Sequence, residues 1–302
     1  MTRLWSRGGL SWRELIYRTS RESWEDEVFG QAARLAFYHF LALFPALLLL
    51  LVLLLKFAVV AADLQNSLLA VLQQILPDPV FSLLSGMVQE LNGKARLGGS
   101  LFPGLLASVW ASINGTWAMM RGLNTAYEVE ERRPLWKIVL IAMALTITLA
   151  VLGLLSLVLL FFGRHMGEAF AAGVDLPHKT MLLVLLVRWP VLIAILLTAF
   201  AILYRFAPNL FHREWQWSTP GAVVALTLWV GASLLLRAYF TLSHSYEQIY
   251  GHLAAVSMLL MWLYLTSAAI LIGGEMNSEI EKAADHKPKQ DGALAKHQRS
   301  GT

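Results

Sequence analysis

Hydrophobic residues run in six long stretches, and the short segments between them carry most of the charged residues. A helix needs about 20 consecutive apolar residues to cross the hydrocarbon core of a bilayer. Each stretch meets that length, so each is predicted to be a membrane-spanning helix. The predicted spans are residues 35–55, 98–120, 138–162, 181–204, 220–240 and 252–272. The pattern therefore predicts an all-α, polytopic membrane protein built as a bundle of six transmembrane helices.

Two further segments are amphipathic and too polar to span. Residues 11–33 are predicted to form an interfacial helix on the inner face of the membrane. Its apolar positions are Trp12, Ile16, Trp24 and Val28. Residues 64–91 are predicted to form an amphipathic cap on the outer face, broken into two helices by Pro77 and Pro79. The alternative for the second segment is a helical hairpin packed against the bundle.

The chain is therefore divided into three parts. Residues 1–34 are predicted to be a cytoplasmic, amino-terminal interfacial helix, and residues 35–280 a six-span membrane domain that includes the outer cap. Residues 281–302 are polar and are predicted to be a disordered cytoplasmic tail.

The distribution of Lys and Arg predicts the orientation. One set of flanking segments carries 17 of these residues, and the opposite set carries five. Basic residues accumulate on the cytoplasmic side of membrane proteins. Both termini are therefore predicted to be cytoplasmic.

Composition supports a membrane protein and excludes several kinds of chemistry. The chain is 57% hydrophobic and 15% charged, with a mean hydropathy of +0.57, whereas soluble domains carry roughly 25% charged residues. There is no cysteine, which excludes disulfides and thiolate metal sites. The sequence also lacks a P-loop and an HExxH motif. We expect no catalytic residues, no metal, no cofactor and no nucleic-acid partner.

Basic residues within or at the ends of spans are the strongest functional pointers, because charge inside a membrane is costly. Arg188 lies inside the fourth span, Arg237 near the outer end of the fifth, and Lys56 at the outer end of the first. Our hypothesis is that they line an outward cavity that attracts an anionic headgroup or solute. The alternative is that each side chain extends separately to the interface.

Other polar residues and prolines within the spans complete the candidate substrate path. The remaining path candidates are His39, Asn114, Tyr239 and Glu275, and the hinge candidates are Pro45 and Pro190. Each has a structural alternative. A buried, hydrogen-bonded histidine is the simpler reading of His39, small-residue helix packing explains the neighbourhood of Asn114, and Glu275 is equally well read as an interfacial carboxylate.

Several short motifs together resemble one family. They are Ala32-Ala33-Arg34-Leu35-Ala36-Phe37-Tyr38, Leu43-Phe44-Pro45, Leu123-Asn124-Thr125-Ala126-Tyr127, Arg132-Arg133-Pro134, Tyr204-Arg205-Phe206-Ala207-Pro208-Asn209, Pro220-Gly221-Ala222, Tyr250-Gly251, Trp262-Leu263-Tyr264 and Gly273-Gly274-Glu275-Met276-Asn277. Their order over roughly residues 25–281 resembles the YihY family, also called the virulence factor BrkB family and once labelled ribonuclease BN. The resemblance implies a six-helix inner-membrane protein of bacteria, without an established activity.

These observations lead to two functional hypotheses. The first is a protein that transports or flips an anionic or amphiphilic solute, which includes lipid-linked solutes. The second is a non-transporting membrane scaffold that supports envelope assembly or integrity. A membrane nuclease is the weakest reading. Membrane lipids are the expected partners, and the oligomeric state is left open.

Overall fold

The computed structural model describes residues 9–42, 70, 73, 101–173, 178–210, 219–242 and 252–299. The described residues contain seven helices and no strand. They are α1 (Trp12–Glu25), α2 (28–42), α3 (Leu101–Ala126), α4 (Leu135–Gly173), α5 (His178–Phe206), α6 (Pro220–Leu242) and α7 (His252–Arg299). The predicted all-α class is confirmed for these residues.

Four helices contain segments long and apolar enough to cross a membrane. The segments are Leu135–Leu160, Leu186–Phe206, Pro220–Tyr239 and Val256–Ala284, and they correspond to the predicted spans at 138–162, 181–204, 220–240 and 252–272. The described residues of the predicted span 98–120 are helical in α3, but α3 is not among these four. The predicted span 35–55 is described only as far as residue 42. The count of six spans therefore stays a prediction.

The outer cap also stays a prediction. Residues 64–91 lie outside the described residues, apart from Ala70 and Gln73, which are helical.

The surfaces of the apolar helices suit a lipid solvent. In the apolar segments of α4, α5 and α6 only 17% of the residues are buried. Large side chains such as Leu186, Leu234 and Leu235 are 60% or more exposed. In a membrane these side chains would contact lipid, so their exposure carries no solvation penalty.

The main hydrophobic core lies at one end of the helices, which we call the α1 end. It joins Val28 and Leu35 of α2, Leu123 of α3, Tyr204 of α5 and Leu271 of α7, together with buried residues of α4 and α6. A second cluster forms where Leu15 of α1 packs against Met276 and Ile280 of α7. The sites described below are built at this end.

The amino-terminal segment differs from the predicted single helix at residues 11–33. Ser11 caps α1 by accepting a hydrogen bond from the Glu14 N–H. The helix ends at Glu25, and Glu27 adopts a left-handed backbone with φ of 50° before α2 begins. The predicted boundary between residues 34 and 35 therefore falls inside α2.

The face of α1 that packs on the protein is not the one that carries its large apolar residues. Leu15, Thr19 and Ser23 are buried, whereas Trp12 and Trp24 are exposed. An exposed aromatic face is suited to the membrane interface, where tryptophan side chains are favourable.

The carboxyl-terminal segment also differs from the prediction. α7 is helical as far as Arg299, whereas residues 281–302 were expected to be disordered. The polar composition of the tail predicted no packed core, but a helix satisfies its own backbone hydrogen bonds without one.

Helices α6 and α7 approach each other closely at two glycines. A Cβ atom on Gly221 would collide with the carbonyl oxygen of Gly273 and would lie 2.6 Å from Cγ of Asn277. A Cβ atom on Gly273 would collide with the Tyr204 hydroxyl and the Gly221 carbonyl oxygen. Small residues allow such close approach of membrane helices.

Polar contacts hold the same crossing. The Asn277 Oδ1 accepts a hydrogen bond from the Gly221 N–H at 3.0 Å, and its Nδ2 donates to the Thr219 Oγ1 at 3.0 Å. The Thr219 Oγ1 also accepts from the Ala222 N–H at 3.1 Å, so Thr219 caps the amino end of α6. The amide of Asn277 thus accepts from one backbone donor at the first turn of α6 and donates to the hydroxyl group that caps this helix.

We predict that Gly221→Ala destabilises the protein by about 1–3 kcal/mol, because the added methyl group must separate two backbones in contact. Gly231→Ala, on the same helix, is the matched control, since its Cβ would meet nothing within 4 Å. Thermal unfolding in detergent measures both. Equal melting temperatures for the two variants would contradict the close crossing.

Candidate functional site

A hydrogen-bonded network fixes the loop between α3 and α4 at the α1 end. The Asn124 Oδ1 accepts from the Asn209 N–H at 2.8 Å, and its Nδ2 donates to Glu131 at 2.9 Å. Arg133 donates to both oxygens of Glu131, at 2.7 and 2.6 Å, and to the carbonyl oxygen of Ala207 at 2.9 Å. We call Asn124, Glu131, Arg133 and Asn209 the loop network.

The loop network determines the charge of Glu131. Burial alone would raise the pKa of this carboxyl group, but the hydrogen bonds from Arg133 and Asn124 and the Arg133 charge outweigh it. The net effect lowers the pKa of Glu131 below its ordinary value. Glu131 is therefore ionised at neutral pH and holds Arg133 against the carbonyl oxygens that end α5.

An ion-pair cluster connects the same loop to α7. The Lys282 Nζ lies 2.6 Å from Oε1 of Glu128 and 2.8 Å from Oε1 of Glu279. The Tyr204 hydroxyl donates to the Ile270 carbonyl oxygen at 2.8 Å, which joins α5 to α7. The α1 end is therefore a polar layer that lies over the hydrophobic core.

An open groove of about 560 Å³ runs between α2 and α3 at this end. Its walls carry both charges and apolar surface. Its lining includes Asp26, Glu27, Arg34, Tyr38 and Arg121.

The two arginines are the cationic groups of the groove. Arg34 is exposed and forms no ion pair or hydrogen bond with another described residue. The guanidinium carbon of Arg121 lies 5.1 Å from the ring centre of Trp117, one turn earlier on α3. The Arg121 side chain also forms no ion pair with a described residue. Both cations are therefore available to a ligand.

A pair of carboxyl groups adjoins the groove. Glu275 of α7 is 1% exposed, and neither of its oxygens has a hydrogen-bond partner among the described residues. Asp26, which also lines the groove, is an acidic side chain that interacts with Glu275. Burial and the nearby Glu128 raise the pKa of Asp26 above its ordinary value.

Two buried hydroxyl groups lie on the same face of α1. Thr19 and Ser23 are each 4% exposed, and neither hydroxyl has a hydrogen-bond partner among the described residues. Buried polar groups normally have partners. Together with Asp26 and Glu275, they form an unusual concentration of unpartnered oxygen atoms at the α1 end.

The basic candidates predicted within the spans lie on different helices. Arg188 of α5 is half-buried, its guanidinium carbon lies 5.1 Å from the Trp189 ring centre, and its Nε has no partner among the described residues. Arg237 and Tyr239 are exposed on α6. Lys56 lies outside the described residues, so the proposed outward cavity is not tested.

Of the other predicted candidates, His39 and Asn114 have structural partners. The His39 Nδ1 lies 3.4 Å from the Ser267 Oγ of α7, and the Asn114 Nδ2 donates to the Trp110 carbonyl oxygen at 2.8 Å. Pro190 lies inside α5, which is helical on both sides of it. Pro45 lies outside the described residues. Glu275 is present as described above, buried rather than interfacial.

The groove and the proximity of Asp26 to Glu275 were not predicted from the sequence. Arg34 and Arg121 were counted as flanking charges, and Asp26 as part of a surface helix. The sequence did contain a signal for the buried face of α1, because Leu15, Thr19 and Ser23 recur every four residues. The larger residues Trp12, Ile16 and Trp24, on the other faces of the helix, obscured this signal.

Among the described residues, no group of three or more His, Asp or Glu side chains is placed to hold a metal ion. The features described so far define a polytopic helical membrane protein with a polar site at one end.

Comparison with known proteins places the chain within that class. The family model described as Virulence factor BrkB matches residues 19–298, and the chain belongs to this family. A protein of Bacillus subtilis named putative ribonuclease-like protein YfkH is 33% identical over 84% of this chain and 90% of its own length. UPF0761 membrane proteins of Idiomarina loihiensis and Vibrio cholerae are 30% and 34% identical, over 34% and 31% of this chain and 36% and 31% of their own. No solved structure matches.

We predict that Arg133→Ala destabilises the protein by about 3–5 kcal/mol, because it leaves a partly buried Glu131 carboxylate without its cation. Arg132→Ala is the matched control, since the side chain of Arg132 is 70% exposed and its loss should cost less than about 1 kcal/mol. Chemical unfolding in detergent micelles measures both variants. A similar, small effect in both would show that the loop network contributes little.

The same network predicts a pH dependence. A lowered pKa means that Glu131 contributes stability above its ordinary pKa of 4.5 and loses that contribution as the pH falls through the lowered value. Melting temperatures should therefore decline in acid more steeply for the wild type than for Glu131→Gln. Parallel profiles for the two proteins would contradict the assignment.

Proposed function

We propose that this membrane protein transports or flips an anionic or amphiphilic solute, including lipid-linked solutes, and that the groove between α2 and α3 receives the anionic group. The observation that carries the proposal is the presence of two arginines, Arg34 and Arg121, in a groove of about 560 Å³. Neither is neutralised by a described acidic residue. Guanidinium groups bind phosphate and carboxylate oxygens through paired hydrogen bonds.

The charges of the groove support an anionic ligand. Glu25 is paired with Arg21 at 2.7 Å, which leaves Asp26 and Glu27 as the acidic groups opposite the two arginines. Burial raises the pKa of Asp26 above its ordinary value, which favours its neutral form. Protonation of Asp26 would leave one carboxylate facing two guanidinium groups, and the groove would then carry an excess positive charge.

The location of the groove supports an amphiphilic ligand. The excess of Lys and Arg on this side of the spans favours a cytoplasmic orientation for the α1 end. A groove between two helices at that depth lies beside the lipid headgroups of the inner leaflet. Leu35, Tyr38 and Ala118 supply apolar surface within it. A ligand with an anionic head and an apolar body matches both properties.

Arg188 supplies a second cationic position along the proposed path. It lies in an apolar helix beside Trp189, and an unpaired cation at that depth is costly unless it serves a ligand. Arg237 assists at the outer mouth, and His39, Asn114 and Tyr239 line the path in this proposal. Pro45 and Pro190 permit helix movement. Glu275 acts at the inner end.

We predict that replacing both groove arginines, in Arg34→Ala/Arg121→Ala, slows transfer of a fluorescent phosphatidylglycerol analogue between leaflets of proteoliposomes at least tenfold. Loss of one charge-assisted hydrogen bond costs about 1.5–3 kcal/mol, and about 1.4 kcal/mol corresponds to a factor of ten. Arg132→Ala is the matched control, with a cation lost from the same end but outside the groove. Arg188→Ala should also slow transfer.

The assay also separates transport from the scaffold hypothesis. Transfer of phosphatidylglycerol that is equal in the wild type, the double variant and empty liposomes would contradict transport of this lipid. A folded protein that moves no anionic lipid or solute, yet retains a stable partner through purification, would support the scaffold. The ribonuclease-like name of the Bacillus subtilis relative suggests a third function, but no observation in the described residues favours it.

A further inference from the structure

The burial of Glu275 needs a chemical explanation. Removing an ionised carboxylate from water costs several kcal/mol unless hydrogen bonds or a counter-charge replace the lost hydration. Glu275 is 1% exposed, and both its oxygens lack hydrogen-bond partners among the described residues. A neighbour that interacts with Glu275 is Asp26, another carboxyl group, whose Oδ2 is likewise buried and has no hydrogen-bond partner among the described residues.

Two carboxylates cannot stabilise each other, since both accept hydrogen bonds and carry the same charge. One added proton changes both properties: the protonated group donates a hydrogen bond to the ionised one, and the repulsion disappears. Paired carboxyl groups that share one proton are an established arrangement in proteins. Asp26 and Glu275 fit this arrangement, because they are interacting carboxyl groups whose buried oxygen atoms have no hydrogen-bond partner among the described residues.

We propose that Asp26 and Glu275 form a proton-binding site that holds one proton at neutral pH and couples proton binding to anion binding in the groove. The coupling half of this inference rests on the proposed function, whereas the proton-binding half does not. The sequence predicted Glu275 as a candidate of the substrate path or as an interfacial carboxylate, and it did not predict a pairing with Asp26.

The neighbouring charges from each packed element are consistent with the proposal. Glu22 and Glu25 of α1 and Glu128 of the loop after α3 are acidic and favour retention of the proton. Lys282 of α7 opposes it. Its Nζ lies 2.6 Å from Glu128 and 2.8 Å from Glu279, so two carboxylates outside the pair already balance its charge.

The coupling arises because Asp26 belongs to both sites. It follows the last residue of α1 and interacts with Glu275 of α7, and it lines the groove with Arg34 and Arg121. Loss of the shared proton adds one negative charge beside the two arginines. Anion binding should therefore weaken as the pH rises through the titration of the pair, and bound anion should in turn favour retention of the proton.

The first test measures proton binding without any ligand. If the folded protein holds the extra proton and the unfolded chain does not, unfolding near neutral pH releases one proton. Stability then falls as the pH rises above 3.8, the ordinary pKa of Asp26, through its raised value. Melting temperature against pH should show this decline in the wild type and lose it in Asp26→Asn and in Glu275→Gln.

The amide variants are suitable because an amide donates the hydrogen bond that the protonated carboxyl group donates, and so the fold is retained. Glu130→Gln is the control, since the side chain of Glu130 is 83% exposed. Profiles for Asp26→Asn and Glu275→Gln that parallel the wild type would overturn the proton site. So would a uniform loss of stability at every pH, which indicates a purely structural role.

The second test measures coupling, with short-chain phosphatidylglycerol as the probe because its phosphodiester does not titrate near neutral pH. Its affinity for the wild type should fall with rising pH and should be independent of pH in Asp26→Asn. A pH-independent affinity in the wild type would overturn the coupling. No binding at any pH, with the stability result intact, would overturn the proposed function and the coupling but not the proton site.

Discussion

The backbone contact between α6 and α7 at Gly221 and Gly273 is the constraint on which the α1 end depends. No side chain fits between the two helices there, and Asn277 satisfies the first turn of α6 from the neighbouring turn of α7. The contact fixes both the position and the rotation of α7. Leu271 is consequently directed into the main core, and Met276 and Ile280 are directed toward Leu15 of α1. Glu275 lies between these two apolar contacts, which explains how a carboxyl group is held in a buried position.

The buried polar groups at the α1 end fall into two kinds, those with hydrogen-bonding or ionic partners and those without. The loop network and the Lys282 cluster bring opposite charges and complementary donors together, as a stable fold requires. By contrast, Asp26, Glu275, Thr19 and Ser23 each have buried oxygen atoms without a hydrogen-bond partner in the part of the chain that the structure describes. A fold selected for stability alone would favour apolar residues at such positions. We therefore assign the binding of a proton or a ligand to these oxygen atoms, because such binding would provide the hydrogen bonds that the described residues do not make.

Hydropathy predicted four of the membrane helices closely, because a lipid solvent requires an apolar surface along the whole length of a span. Thr219 was also predictable, since helix capping is local. The break between α1 and α2 at Asp26 and Glu27 was not predictable, because no glycine or proline lies there and Glu27 itself adopts the left-handed backbone. The pairs Asn124 with Asn209, Gly221 with Asn277, and Asp26 with Glu275 were also missed. Their members are far apart in the chain, and their pairing depends on how the helices pack.

Infrared spectroscopy of the purified protein near neutral pH tests the central claim most directly, because a protonated carboxyl group has a C=O stretching band that a carboxylate lacks. The account predicts such a band in the wild type, shielded from rapid deuterium exchange by burial of Glu275. It also predicts loss of this band in both Asp26→Asn and Glu275→Gln. A wild-type spectrum without the band, or a band that persists in both variants, would contradict the account.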